Sequence, residues 1–371
     1  MNNKIILIFI GSLNIGGTEK QLLNILKELH KNFKFKIFTV QEKGLLSKDF
    51  EELNIEVLEP RFKRKKGSLL NLFIFYIFLF YDILKTYLIL RPKIVHYYLP
   101  HSYIIGGFLS VIFKNTQYIM SRRSLNDYQK KYPFINKIES YLHKRMNLII
   151  ANSNAIKQQL MKDEGVISDK CKVIYNGVNI NRDKIPDIKK KIVKLVCVAN
   201  LLPYKNHVMI LKALSLIPKK YKWHLDLIGR ESKVVLNDLN AIIKKNSLTD
   251  KIIFHGQQMN PDSFLRSSDI ALLTSDEEGF SNSILEYLNY SLPVIATSVG
   301  GNSESVRDNI NGFLIQKGNY YELSKKILYL FNNPNVRKSM GRKGYKIVSN
   351  EFALDKCIKK YKSMYKKIID N

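Results

Sequence analysis

Acidic residues are scarce in this 371-residue chain: 32 Asp and Glu stand against 60 Lys and Arg, a formal charge of +28. Cysteine is scarcer still. Cys171, Cys197 and Cys357 lie far apart with no metal-ligand spacing, which argues against structural zinc and a secreted disulfide framework and makes a reducing cytoplasm the expected compartment. No Asp-x-Asp pair occurs, and no short repeat or low-complexity tract. The apolar (45%) and charged (25%) fractions are those of an ordinary soluble globular protein, so disordered and collagen-like classes drop out. A secretory signal is not expected either. Ile5 to Ile10 follows Met1 to Lys4 but runs into Gly11 and Gly16-Gly17, a strand entering a glycine loop rather than a cleavage site.

The charge is unevenly placed. Between Arg61 and Ile150 the only acids are Asp82, Asp127 and Glu139, whereas between Lys251 and Gly300 two cations, Lys251 and Arg266, face six acids. A basic first half suits nucleic acid, an anionic membrane face or a phosphorylated acceptor; a lysine-rich codon bias gives the same composition. No nucleic-acid motif is present, so a nucleic-acid partner is not expected.

Length suits two domains. Strand-like apolar runs alternate with amphipathic segments from end to end, the pattern of parallel sheets covered by helices, hence an α/β fold. Strands are expected near Ile5–Ile10, Lys36–Val40, Ile94–Tyr98, Tyr118–Ser121 and Leu148–Ala151, then near Leu195–Ala199, His224–Ile228, Ile252–Phe254, Ile270–Thr274 and Val294–Thr297. The polar stretch Asn181 to Lys191, with Pro186, reads as a linker. Expected domains are therefore 1–182 and 192–350, with a basic C-terminal helix over 351–371 that packs back toward the first.

Leu69 to Leu90 is strongly apolar, but Asn71, Asp82 and Lys85 interrupt it. A spanning helix needs roughly 20 apolar residues, and Asp or Lys near a bilayer centre costs roughly 2.5–3.5 kcal/mol each. The basic run Arg61, Lys63, Arg64, Lys65, Lys66 precedes it. Two readings stand: segment 61–90 lies on an anionic membrane surface, or it is a core helix beside a solvated charge run.

The sharpest chemical signal is Glu278-Gly279-Phe280-Ser281-Asn282-Ser283-Ile284-Leu285-Glu286, between a predicted strand and a predicted helix. Phe280, Ser281, Asn282 and Ser283 would offer free backbone N–H groups at the helix start, where the macrodipole also favours an anion. Glu278 in the loop and Glu286 about two turns on would flank a diphosphate and accept from sugar hydroxyls. Two exposed glutamates are the plain alternative.

The stretch from Asp269 to Phe313 resembles the donor-binding signature of glycosyltransferase family 4, retaining enzymes with the two-Rossmann GT-B architecture whose sheets face across a cleft. The matching pieces are Ser268-Asp269-Ile270, the two glutamates with seven residues between them, Leu292-Pro293-Val294, Gly300-Gly301-Asn302 and Asn311-Gly312-Phe313. The resemblance implies that Glu278 contacts hydroxyls of the transferred sugar and Glu286 the ribose diol. Asn14-Ile15-Gly16-Gly17-Thr18-Glu19 matches the family's N-terminal glycine loop, so Gly16 and Gly17 are expected at the diphosphate. Thr18 and Gln21 also have capping-box spacing.

Further matches extend over most of the chain. Asn200-Leu201-Leu202-Pro203-Tyr204-Lys205-Asn206 resembles the family's basic loop, which gives Lys205 the leaving diphosphate. Many relatives carry Arg where Asn200 stands, and Arg230 is a candidate substitute. Of the two imidazoles in His96-Tyr97-Tyr98-Leu99-Pro100-His101, His101 aligns with a functional family position and His96 is expected to pack. Arg122 and Arg123 suit either a phosphorylated acceptor or a structural ion pair. Asn152-Ser153-Asn154 and Tyr175-Asn176-Gly177-Val178 also resemble family loops, with Asn176-Gly177 read as a turn.

The activity so implied is transfer of a sugar, with retention, from a nucleotide-diphosphate sugar (a UDP-sugar favoured) to a hydroxyl of a glycan or lipid-linked acceptor. The setting is bacterial cell-surface polysaccharide synthesis, in the cytoplasm or peripheral on the inner membrane face. No cofactor and no metal are expected, although Asp276-Glu277-Glu278 would allow a metal site. Catalytic roles fall to Glu278, Lys205 and His101. Three rivals remain: a GT-B nucleotide-sugar epimerase, an inactive scaffold suggested by Asn200, and a basic binding protein.

Overall fold

The structure is a computed structural model and describes residues 4–63, 69–180 and 192–370. The expected linker, Asn181 to Lys191, and Arg64, Lys65 and Lys66 of the basic run lie outside the described residues. The chain forms two compact units, residues 1–176 with 354–371, and residues 177–353. The break falls just before the expected linker, and the C-terminal helix, Leu354–Asp370, belongs to the first unit.

The first unit is built on β1 (Ile5–Ile10), β2 (Lys34–Thr39), β3 (Glu56–Leu58), β4 (Ile94–Tyr98), β5 (Gln117–Arg122), β6 (Leu148–Ala151) and β7 (Cys171–Val173). They form one parallel sheet in the order β3-β2-β1-β4-β5-β6-β7. The second unit has β8 (Val193–Val198), β9 (Trp223–Ile228), β10 (Ile252–Phe254), β11 (Ile270–Leu273), β12 (Val294–Thr297) and β13 (Gly312–Ile315), also parallel, in the order β10-β9-β8-β11-β12-β13. Strands β1, β6, β11 and β12 are near-continuous buried apolar runs, as expected where helices cover both faces of a parallel sheet. The short strands β3, β7 and β13 escape sequence reading. Within β13 a Cβ on Gly312 would lie 2.0 Å from the Val294 carbonyl oxygen of β12, so the Asn-Gly-Phe motif here serves close strand contact.

The first unit has a core on each face of its sheet. One core takes Leu22, Leu26 and Leu29 of the helix Gly17–Leu29 together with Cys357, Tyr361 and Tyr365 of the C-terminal helix. The other takes Phe75, Leu79, Ile83 and Tyr87 of the helix Leu69–Leu90. These last four recur at spacings of four, the stripe by which one helical face meets a sheet. Asp82, which interrupts the apolar run, is buried and accepts from Arg61 Nε (2.7 Å) and the Arg61 backbone N–H (2.9 Å). The rest of the helix stays outside: Phe73 is 65% exposed and Ile89 67%. A wholly buried core helix is thereby excluded.

In each sheet the strand order reverses once, between β1 and β4 in the first unit and between β8 and β11 in the second. Ligands of open α/β sheets bind outside the carboxyl ends of the strands at such points.

Candidate functional site

At the reversal point of the second unit, the loops after β8 and β11 meet. Asn206 turns through a left-handed conformation (φ 49°) that asparagine tolerates. It caps the helix His207–Ser215, its Oδ1 accepting from the Met209 N–H at 3.2 Å, while its Nδ2 donates to Asp276 Oδ1 at 3.0 Å. Thr274 donates to the Asn206 carbonyl (3.0 Å) and Thr297 to the Ser275 carbonyl (2.6 Å). Two loops are thus cross-tied by side-chain-to-backbone bonds, which fixes what they carry.

They carry Lys205 and Glu278. Lys205 Nζ donates to Glu278 Oε1 at 2.6 Å, and Ser275 Oγ donates to the same oxygen at 2.7 Å. Both charged side chains are largely withdrawn from solvent. Burial works against the Lys205 charge, but the neighbouring Glu278 outweighs it and the ammonium pKa ends up raised. Lys205 also lies 5.0 Å from the centre of the Tyr204 ring. A cation and a carboxylate held side by side match adjacent groups of one ligand, an anion and the hydroxyls next to it.

Beside this pair starts the helix Asn282–Asn289. Ser281 is its N-cap, its Oγ accepting from the Ile284 N–H at 3.4 Å. The helix is moored to β8 by Ser283 Oγ donating to the Val198 carbonyl (2.7 Å) and by the Tyr287 hydroxyl accepting the Val198 N–H (2.6 Å). Phe280 is buried, its ring 5.4 Å from that of Phe352, so it holds the loop from beneath. Glu286 is half-buried, and it shares a helix face with Asn282 and Ser283 at three- and four-residue spacing.

Asn200 Oδ1 accepts the Arg230 backbone N–H at 2.9 Å, so the residue in the family's arginine position and its candidate substitute are neighbours. Sequence reading missed His207. It is buried next to Lys205, and burial followed by the Lys205 charge brings its pKa down to about 4, so the ring is neutral. Its one sequence signal was its place directly after the basic loop.

The reversal point of the first unit is differently made. Gly16 is the N-cap of the helix Gly17–Leu29 and no side chain caps it. The capping box of Thr18 and Gln21 does not form: the helix starts before Thr18, and Gln21 is buried, donating to Cys357 Sγ at 3.8 Å. The Glu19 carboxylate folds back over Gly16, where a Cβ would lie 2.3 Å from it. Burial raises the Glu19 pKa, against its own backbone hydrogen bond and Arg123. After β4, Leu99 turns at φ 69° into the helix Pro100–Gly106, and Ser102 clips that helix to the Phe9 (3.2 Å) and Tyr98 carbonyls. His101 is its second residue and is exposed.

His96 does pack: buried, it bonds Tyr365 through Nδ1 (2.6 Å) and Ser121 through Nε2 (2.8 Å). The arginines are structural. Arg122 donates to Glu139 (2.8 Å) and Glu164 (2.7 Å), all fully buried. Arg123 donates to Asn176 (2.7 Å) and Tyr361 (3.1 Å) and lies over the Tyr98 ring. Neither guanidinium is presented to a phosphorylated acceptor. Asn176 is accordingly a buried acceptor for Arg123, and residues 176–177 form no turn. Ser153 caps the helix Asn154–Asp163 through the Ile156 N–H (3.2 Å).

Comparison with known proteins agrees with this geometry. Residues 179–347 match Glycosyl transferases group 1, and residues 15–182 match Glycosyltransferase Family 4. An uncharacterized glycosyltransferase of Methanocaldococcus jannaschii, MJ1178, is 31% identical over 73% of this chain and 70% of its own. The Campylobacter jejuni N-acetylgalactosamine-N,N'-diacetylbacillosaminyl-diphospho-undecaprenol 4-alpha-N-acetylgalactosaminyltransferase is 26% identical over 91% of this chain and 92% of its own. In fold, the chain matches Anabaena Alr3699/HepE, solved in complex with UDP-glucose, at a TM-score of 0.84 and 20% identity over 98% of this chain and 99% of that one. Two family matches in succession, on two sheets that each reverse strand order once, lead to one conclusion: the chain belongs to glycosyltransferase family 4, the group 1 enzymes, and is a glycosyltransferase of GT-B fold.

Proposed function

We propose that this glycosyltransferase moves a sugar from a UDP-sugar to a hydroxyl of a lipid-linked glycan, with retention at the anomeric carbon and without a metal, in building a bacterial surface polysaccharide. The observation that carries the reading is the Lys205–Glu278 pair at the reversal point of the second unit, beside the N–H groups that open the helix Asn282–Asn289. The diphosphate lies on those N–H groups and on Lys205; Glu278 accepts from sugar hydroxyls and Glu286 from the ribose. The family resemblance also gives Gly16 and Gly17 a role toward the diphosphate and His101 a role toward the sugar and acceptor.

The bond from the anomeric carbon to the diphosphate oxygen breaks as the acceptor oxygen bonds on the same face, and the acceptor proton passes to the departing phosphate oxygen. No protein nucleophile is needed. The protein positions the reactants and stabilises charge on the leaving group. Lys205 against Glu278, and Lys317 (3.9 Å) with Asn206 against Asp276, give these carboxylates cationic and amide partners, which supports a metal-free site. The relatives' names support the substrates: one describes transfer to a diphospho-undecaprenol-linked sugar, and a fold neighbour was solved with UDP-glucose. Segment 61–90, with its exposed aromatic face, rests on the inner leaflet that holds such an acceptor.

A thermal-shift series over nucleotide sugars tests the donor. A true donor at 100 times its Kd stabilises by about 2.7 kcal/mol, and Glu278→Ala removes that shift. If no nucleotide sugar stabilises the protein, the reading fails. Transfer is expected to persist in excess chelator; its loss, with recovery on adding Mg²⁺ or Mn²⁺, would overturn the metal-free part.

A further inference from the structure

A cavity of about 850 Å³ opens at the amino-end edge of the first sheet, the edge opposite the carboxyl ends of its strands. Four cations line it: Lys4, Arg91, Lys93 and Lys114, with no carboxylate among the described lining residues. Leu88 and Ile112, each about half exposed, also line it and give it an apolar lip. Lys4 Nζ donates to the Ile369 carbonyl at 3.4 Å, which fixes one cation over the opening. Arg91 ends the helix Leu69–Leu90 in a left-handed conformation (φ 43°), a place that glycine fills with least strain. Here the chain keeps a long cation.

The position of that helix gives the cavity meaning. It runs between β3 and β4 of a parallel sheet, so it starts at the carboxyl edge and ends at the amino edge. Its 22 residues span about 33 Å. One stripe lies on the sheet, and Leu70, Phe73, Ile77, Leu88 and Ile89 are exposed. The basic run from Arg61 precedes one end, and the four-cation cavity adjoins the other. An exposed apolar helix with cations at both ends suits a bilayer surface along its length, acyl chains against the middle and phosphates at the ends.

We propose that this cavity holds the phosphate head of an anionic phospholipid, its acyl chains leaving over Leu88, Ile89 and Ile112, so that the helix Leu69–Leu90 lies flat on the membrane. The inference rests on the membrane reading above and adds a defined lipid site to it. The plain alternative is that Arg91 and Lys93 only complement the carbonyl end of the helix; it predicts no dependence on lipid head.

The test is flotation of the full chain with vesicles of phosphatidylglycerol and phosphatidylcholine in equal parts, and of phosphatidylcholine alone. Wild type is expected to float with the first only. Arg91→Glu with Lys114→Glu should weaken that binding by at least about tenfold, at roughly 1 kcal/mol per cation near the surface, and leave the thermal shift with the sugar nucleotide unchanged. Lys27→Glu with Lys362→Glu changes net charge equally on helices covering the opposite face of the sheet and should weaken it far less. Equal loss in the two double variants, or no loss in the cavity variant, overturns the lipid site while the membrane reading stands. Failure of wild type to float with either vesicle overturns both. Dihexanoyl phosphatidylglycerol should stabilise wild type and not the cavity variant; equal stabilisation by inorganic phosphate at the same concentration would overturn the headgroup assignment.

Discussion

The two sheets reverse strand order at corresponding places, yet the chemistry placed there differs. In the second unit the reversal point holds a cation and a carboxylate in contact, Lys205 and Glu278, on loops tied to each other. In the first unit the equivalent edge is a glycine loop under Glu19 and a strained turn leading to an exposed His101, with the paired charges lying deeper. One topology thus serves two arrangements: the second unit keeps its charge pair at the reversal point, where the proposed donor would lie, and the first spends its charge on its own fold. Adjacent Arg122 and Arg123 show the latter most plainly. Arg122 is paired with two buried carboxylates, whereas Arg123 hydrogen-bonds neutral oxygens, lies over a ring and meets the Glu19 carboxylate only through space.

The largest expected effect breaks that buried cluster. Arg122→Met leaves Glu139 and Glu164 without their cation and should destabilise by about 3–5 kcal/mol. Arg123→Met leaves Asn176 and Tyr361 short of one donor each and should cost about 1–3 kcal/mol. Urea unfolding of both variants ranks them. If Arg123→Met is the more damaging, Arg123 has a charged partner or role that the contacts described here do not account for.

Next come the charges at the reversal points. Lys205→Ala should lower the rate of transfer by about 10²–10³-fold, the usual result of removing one preorganised stabiliser of developing charge, about 2.7–4 kcal/mol. Its melting temperature should fall as well, because Glu278, itself largely withdrawn from solvent, is left without its cation, so rates are compared at a temperature where both proteins are folded. His101→Ala, at the matching edge of the first unit, should reduce transfer by a smaller factor. A kinetic assay giving the reverse order would move the centre of the chemistry to the first unit.

Much of this was legible from sequence because parallel strands buried on both faces are continuous apolar runs. The ten predicted strands lie where β1, β2, β4, β5, β6 and β8 to β12 are found. What escaped was set by tertiary contact. Thr18 and Gln21 have capping spacing, but Gln21 is drawn into the core by Cys357, 336 residues away. Asn176-Gly177 has turn composition, but the buried Arg123 claims the asparagine. Arg122 and Arg123 look alike in sequence because their acids come from Glu139 and Glu164, on other elements. The spacing of Cys357, Tyr361 and Tyr365 by fours did hold a readable signal, a helical stripe bound for a core.

A third comparison concerns the neutral imidazole that each unit buries beside a cation: His96 near Arg123, and His207 near Lys205. Burial first, and then that cation, lowers both pKa values, His207 to about 4. The unfolded value is near 6.5, so the unfolded chain binds the proton first on acidification. Stability is therefore complete above about pH 6.5 and lost as pH falls toward 4. At pH 5 the His207 share is about 2 kcal/mol. Melting temperature against pH should show this slope, and His207→Gln should flatten it. An unchanged slope would mean that His207 titrates alike in the folded and unfolded chain.

The smallest effects separate the two turns that lead into the reversal points. Both need positive φ: Leu99 at 69° after β4 and Asn206 at 49° after β8. Leucine adopts such a conformation only under strain, whereas asparagine tolerates it. Leu99→Gly should therefore stabilise, by roughly 1 kcal/mol or less, because relief of strain outweighs the extra freedom of the unfolded glycine. Asn206→Gly keeps the backbone but loses the cap on Met209 and the bond to Asp276, and should destabilise by about 1 kcal/mol. Strain at Leu99 persists because Ser102 clips the following helix to the ends of β1 and β4, which sets the position of His101. The same substitution that steadies the fold should then lower transfer, whereas a melt showing both glycine variants shifted in one direction would remove strain from the account of the first unit.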